Sequence, residues 1–173
     1  MKQWLIAGLP GSGKSTLLTF LKEELTSRWG EFEDLDLIIE SKMKKSCADL
    51  IKVEGWEYFR DIEKKCFFDF IKKDSNFILS LGGGTIPEAV LPKEIPNHLN
   101  VLWVQRKDEE ILLYLKSQKG LHHPLNQFSE SEMKQKFEYR TQALNQCFDR
   151  IEKNAMTLKE LKKMAIAIAR DLR

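Results

Sequence analysis

The chain has 173 residues, of which 42% are hydrophobic and 31% charged, with a formal net charge of +2. That length suits one domain with a substantial core, and the near-balance of charge argues against a nucleic-acid binder driven by bulk charge. No apolar run approaches a membrane helix, and Cys47, Cys66 and Cys147 are widely separated with no C-x-x-C, so they are expected to be reduced thiols in a soluble, cytoplasmic protein.

In chain order, residues 3–7 read as a buried strand, because Trp4-Leu5-Ile6-Ala7 is apolar without alternation. This stretch runs directly into a glycine-rich turn, so it is a core strand and not a signal peptide. Residues 14–27 read as a helix and 32–35 as a short strand. Residues 36–52 look mainly helical. Residues 56–72 are a clearer helix, with Phe59, Ile62, Cys66, Phe67 and Phe70 at helical spacing. A second confident strand, 77–81, ends at Gly82-Gly83-Gly84, and a third covers 101–104. A helix follows at 108–117. Residues from about 117 to 130 are polar and broken by Gly and Pro, the best candidate for a mobile lid. Residues 131–149 are helical again, and a weak edge strand is expected near Ile151. Thr157-Leu158-Lys159-Glu160 is a capping box that opens the last helix. Strands alternating with helices imply a parallel sheet covered on both faces, an α/β architecture.

Gly8-Leu9-Pro10-Gly11-Ser12-Gly13-Lys14-Ser15 matches G-x-x-x-x-G-K-[ST], the phosphate-cradling P-loop, and it lies between a strand and a helix as that motif requires. Its glycines let backbone N–H groups turn inward on phosphate oxygens, and the helix N-terminus adds partial positive charge. Lys14 would reach the β- and γ-phosphates, and the Ser15 hydroxyl would take one Mg²⁺ position.

Asp34 and Asp36 fall at the carboxyl end of the second strand, where open parallel sheets bind ligands. Phosphoryl transfer needs one carboxylate for Mg²⁺ or its waters and another for the attacking hydroxyl. A helix N-cap is the competing explanation for such a pair. Arg60 and Glu63, at i and i+3, can meet on one helix face and grip an anion, although an ordinary surface ion pair has the same spacing. Three consecutive glycines, Gly82, Gly83 and Gly84, offer a bare backbone on which a ligand can rest. Arg140, in the helix after the lid, is unremarkable taken alone. His122 and His123 are adjacent, which is not metal-ligand spacing.

Taken together, these motifs resemble the shikimate kinase family over nearly the whole chain. Asp34 and Asp36 match its D-x-D. Gly55-Trp56-Glu57-Tyr58-Phe59-Arg60-Asp61-Ile62-Glu63 is similar to its G-E-x-x-F-R-x-x-E segment, with one extra residue between Gly and Phe. Gly82-Gly83-Gly84 is its glycine triplet, and Arg140 opens a segment similar to its R-x-x-x-Y. The resemblance implies a P-loop NTPase fold of the nucleoside-monophosphate-kinase type, with a central five-stranded parallel sheet in a single kinase domain spanning 1–173. It implies transfer of the γ-phosphoryl group of ATP to the 3-hydroxyl of shikimate, with Mg²⁺, by a monomer that binds neither nucleic acid nor membrane. It assigns Gly11, Ser12, Gly13, Lys14, Ser15, Thr16, Tyr114 and His123 to the nucleotide, and Ser15 and Asp34 to the metal. It makes Lys14 and Asp36 catalytic. Asp36, Arg60, Arg140 and the glycine triplet hold the acceptor, with Glu63 orienting Arg60.

Three positions depart from the family pattern. The lid's Arg-Pro-Leu reads His123-Pro124-Leu125, the Arg beside adenine is replaced by Tyr114, and Leu144 stands where a Tyr follows Arg140. Loss of the lid Arg is expected to lower rate more than binding, with Lys119 or a protonated His122 or His123 as the available compensating cation. The alternatives are a kinase for another small hydroxy acid or sugar acid such as gluconate, or a nucleotide-binding module of low activity.

Overall fold

The structure is a computed structural model that describes residues 1–26, 28–117, 124–147 and 157–172. Among these residues, β1 (Gln3–Ala7), β2 (Glu31–Asp34), β3 (Phe77–Ser80) and β4 (Asn100–Trp103) form one sheet in the order β2-β3-β1-β4. All three pairings are parallel. The sheet thus has four strands rather than five among the described residues, because the strand expected near Ile151 lies outside them.

β1, β3 and β4 alternate between two cores, as the pleat dictates, whereas β2 gives a core only Phe32. Leu5, Ala7, Leu79, Leu81, Val101 and Trp103 face one side, where α2 (Leu35–Met43) and α3 (Cys47–Ile71) contribute Leu35, Ile39, Phe59, Phe67 and Phe70. Ile6, Ile78, Leu102 and Val104 face the other. There they meet Leu17, Leu21 and Leu25 from and just beyond α1 (Lys14–Glu24), and Leu161, Ala165, Ile168 and Leu172 of α6 (Leu158–Leu172). A third cluster joins Leu9 to α4 (Asp108–Ser117) and α5 (Glu130–Cys147) through Ile111, Leu115 and Phe137.

The expected helix over 36–52 is two helices. Leu35 leaves the strand at once because the Asp34 carboxylate caps α2, accepting from the Asp36 N–H at 3.0 Å. Lys44 takes a left-handed conformation (φ 55°) that ends α2, and Ser46 caps α3 by accepting from Asp49 N–H. That helix then continues through Gly55, whose φ of 88° and ψ of 170° produce a kink. The capping box of α6 forms as expected, with Thr157 Oγ1 accepting from Glu160 N–H and the Glu160 carboxylate from Thr157 N–H. No helix among the described residues is long and apolar enough to cross a membrane.

Register places the site. Ser80 of β3 lies opposite Ile6 of β1 and Asp34 of β2. The segments that leave those three strands are the P-loop, Asp34 to Asp36, and Leu81 to Gly84. They therefore emerge side by side at the carboxyl edge of the sheet.

Candidate active site

The P-loop follows β1 and ends on the first turn of α1. Gly13, at the N-cap, has φ of 103°, a region that L side chains rarely enter. No side chain among the described residues caps this helix, which leaves its first N–H groups open to a ligand. A cleft of about 370 Å³ opens over it, lined by Gly11, Ser12, Gly13, Lys14, Ser15, Thr16, Arg106, Tyr114, Leu158 and Leu161. Tyr114 lies so close to Gly11 that a Cβ there would come within 2.6 Å of its ring. The Arg106 guanidinium sits 5.8 Å from the Tyr114 ring centroid and donates to the Gly11 carbonyl at 3.1 Å. Arg106 was missed from sequence because nothing marks it locally; only the fold brings it over the loop.

Lys14 is buried, and its Nζ donates to the Leu9 carbonyl at 2.9 Å. Burial pushes its pKa down to about 8, against the nearby carboxylates of Asp36 and Asp34. Ser15 Oγ donates to Asp34 Oδ2 at 2.8 Å, which sets two hard oxygens together at the mouth of the loop. Asp34 is thus both a helix cap and the partner of the P-loop serine. The helix cap weighed for it from sequence is therefore present, and it leaves Asp34 Oδ2 free to pair with the P-loop serine.

A larger cleft, about 530 Å³, adjoins the first and shares Gly11, Lys14 and Ser15 with it. Asp34, Asp36, Trp56, Arg60, Glu63, the glycine triplet and Arg140 line it. Asp36 is half-buried, and burial pushes its carboxyl up to about 7, with the charges of Asp34 and Glu63 adding and Lys14 opposing. The glycine triplet is packed by these groups. A Cβ on Gly82 would meet Glu63 Oε1 at 2.8 Å and Asp36 Oδ1 at 2.9 Å, one on Gly83 would strike Pro10, and one on Gly84 would meet Nη2 of both Arg60 and Arg140 at 2.5 and 2.7 Å. Space is tightest at Gly83, against the rigid Pro10 ring, whereas at Gly82 and Gly84 a side chain would displace the ends of the cleft's own charged groups.

Arg60 and Arg140 come from α3 and α5 and converge here. Arg60 Nη1 donates to Glu63 Oε2 at 2.5 Å, and Thr85 Oγ1 donates to Glu63 Oε1 at 2.6 Å, which pairs both oxygens of a carboxylate that is 0% exposed. The Arg60 guanidinium lies 5.0 Å from the Trp56 ring centroid and 5.2 Å from that of Phe59. Arg140 is 2% exposed, and its Nε and Nη2 reach Glu88 Oε1 at 2.7 and 2.6 Å. Glu88 Oε2 accepts from Arg60 Nη2 at 2.6 Å, so one carboxylate bridges both guanidinia. Burial alone would raise the Glu88 carboxyl, but Arg140 and Arg60 outweigh it and hold it below the usual carboxylate range. Arg60 Nε and Trp56 Nε1 are buried and have no partner among the described residues, two N–H donors in residues that line the cleft.

Every site residue expected from sequence therefore lines one of the two clefts, except His123, which lies outside the described residues together with Lys119 and His122. Glu88 and Thr85 were missed. An acid four residues beyond the glycine triplet was the available signal for Glu88.

A family profile described as shikimate kinase matches residues 10–170. The chain belongs to the shikimate kinase family. A shikimate kinase of Persephonella marina is 30% identical over 151 residues, covering 87% of this chain and 88% of that protein. A shikimate kinase of Clostridium botulinum (strain Alaska E43 / Type E3) is 34% identical over 107 residues, 62% of each, so the matched stretch spans under two thirds of that relative's length. Among solved structures, a shikimate kinase from Acinetobacter baumannii in complex with shikimate superposes with a TM-score of 0.81 at 19% identity, covering 99% of this chain and 93% of the other. A gluconokinase from Sinorhizobium meliloti gives a TM-score of 0.55 at 14% identity, so the shikimate kinase family carries the better fit within one general fold.

Proposed function

We propose that this chain transfers the γ-phosphoryl group of ATP to the 3-hydroxyl of shikimate. The observation that carries the reading is one cleft, open onto the P-loop, that holds two converging guanidinia and a carboxylate suited to a hydroxyl. An acceptor bearing both a carboxylate and ring hydroxyls matches those two chemistries.

Mg-ATP supplies the phosphoryl group and the metal's charge. The uncapped N–H groups of α1 and the ammonium of Lys14 would hold its phosphates, and Ser15 and Asp34 would hold the metal. Lys14 must leave the Leu9 carbonyl to reach them. Tyr114 and Arg106 flank the outer part of the smaller cleft, where a base can stack. Arg60 and Arg140 hold the acceptor carboxylate, with Glu63 fixing Arg60. Gly82, Gly83 and Gly84 let the acceptor lie against the backbone. Asp36 is the base or hydroxyl-orienting group, and a carboxyl that titrates near 7 can accept a proton at neutral pH.

The test is ADP released from Mg-ATP with and without shikimate, with gluconate as a second acceptor. Release that depends on shikimate and not on gluconate supports the reading. Release with gluconate alone replaces it.

A further inference from the structure

Glu88 stands between Arg60 and Arg140, each within 2.6 or 2.7 Å of its carboxylate. It accepts from the two side chains that the proposed function gives to the acceptor's own carboxylate. The charge count follows directly. Glu63 alone against two guanidinia would leave the clamp at +1, and Glu88 brings it to zero. A neutral clamp attracts an anion far less than a cationic one, because the Coulomb term that would draw in the carboxylate is already satisfied internally. Among the buried donors of the clamp, Arg60 Nε has no partner among the described residues, and the indole N–H of Trp56, also without one, lies beside the same guanidinium. Both can hydrogen-bond a neutral carbonyl as well as a carboxylate.

Resting on the shikimate reading, we propose that Glu88 is the specificity-determining residue of the acceptor clamp. It is a built-in counter-anion that weakens the chain's hold on a carboxylate acceptor and narrows its preference for the acid over an uncharged ester.

Glu88→Gln tests this, because the amide keeps the shape and its oxygen can still accept from an arginine while the charge is gone. The Michaelis constants for shikimate and for methyl shikimate are measured on both proteins by ADP release. In the variant, KM for shikimate is expected to fall about tenfold while KM for the ester moves less than about twofold. A rise in KM for both acceptors would mean that Glu88 only holds the arginines in place, and overturns the proposal, as does an unchanged ratio. Should the variant not fold, the unaltered chain decides alone. A preference for the acid over the ester below about tenfold supports the proposal, and a larger one overturns it. The failures are separable: no ADP release from the unaltered chain with either acceptor ends the shikimate reading and this inference with it, whereas an active enzyme with the wrong ratio ends only the role of Glu88.

Discussion

The two clefts are built in opposite ways. At the proposed nucleotide end the groups open to a ligand are backbone amides of a helix without a side-chain cap, and Lys14 rests on a carbonyl of its own loop. At the acceptor end the functional groups are side chains from α3, α5 and the turn after β3, tied together before any ligand arrives. Glu63, Thr85, Arg60, Glu88 and Arg140 form one continuous chain of hydrogen bonds. The contrast teaches where each end is vulnerable. The proposed nucleotide end should depend on a single cation, whereas the proposed acceptor end is a network in which a change at one member is felt by its neighbours.

The sharpest break of the comparison is at Lys14. Lys14→Ala should lower turnover by about 10³-fold and weaken nucleotide affinity, measured by ADP release and by calorimetric titration of ATP. Normal ATP binding by that variant would contradict the P-loop assignment. Asp36→Asn should cut kcat by about 10²-fold or more with ATP affinity near normal, and turnover within about threefold of the original would remove Asp36 from its role. Asp36→Asn should also stabilise the fold. A raised carboxyl pKa means that the unfolded chain binds fewer protons than the folded one between about 4 and 7, so stability from this group falls as pH rises across that window. Removing the charge should raise the melting temperature by about 2–4 °C at pH 8 and leave it unchanged at pH 4, read by calorimetry.

Glu63→Gln probes the network. Unlike the partly exposed Glu88, Glu63 is 0% exposed and anchors Arg60 alone of the two arginines, so an amide there turns a buried N–H toward a neighbour and displaces Arg60; acceptor KM should rise about tenfold and stability fall by about 2 kcal/mol while ATP affinity holds. The smallest effect sharpens the contrast in pH. For the free enzyme, kcat/KM should rise as Asp36 loses its proton near 7 and fall as Lys14 loses its own near 8, a narrow bell measured between pH 5.5 and 9.5. A flat profile would detach both groups from the rate.

Much of the nucleotide end was legible beforehand because its information is local. Eight consecutive residues specify the loop, and the strand and helix around it follow from a short apolar run and helical periodicity. The strands from 77 and from about 101 were readable for the same reason: each is a buried run closed by turn chemistry. The break at Lys44–Ser46 was not, because a left-handed Lys has no compositional mark and Ser46 acts as a cap only once α2 has ended. At the acceptor end the sequence offered residue types and little else. Arg60 with Glu63 could equally have been a surface pair, and Arg140 a solvated helix position.

By itself, then, the amino-acid order determined the P-loop, the alternation of strand and helix, and the two faces of the sheet, since each depends on neighbours within a turn or a pleat. Only tertiary structure decided that Arg60 and Arg140, eighty residues apart, share one carboxylate, and that this carboxylate belongs to Glu88. Pairing of buried charges is set by distance in space, and between remote residues that distance is a product of how helices pack on the sheet.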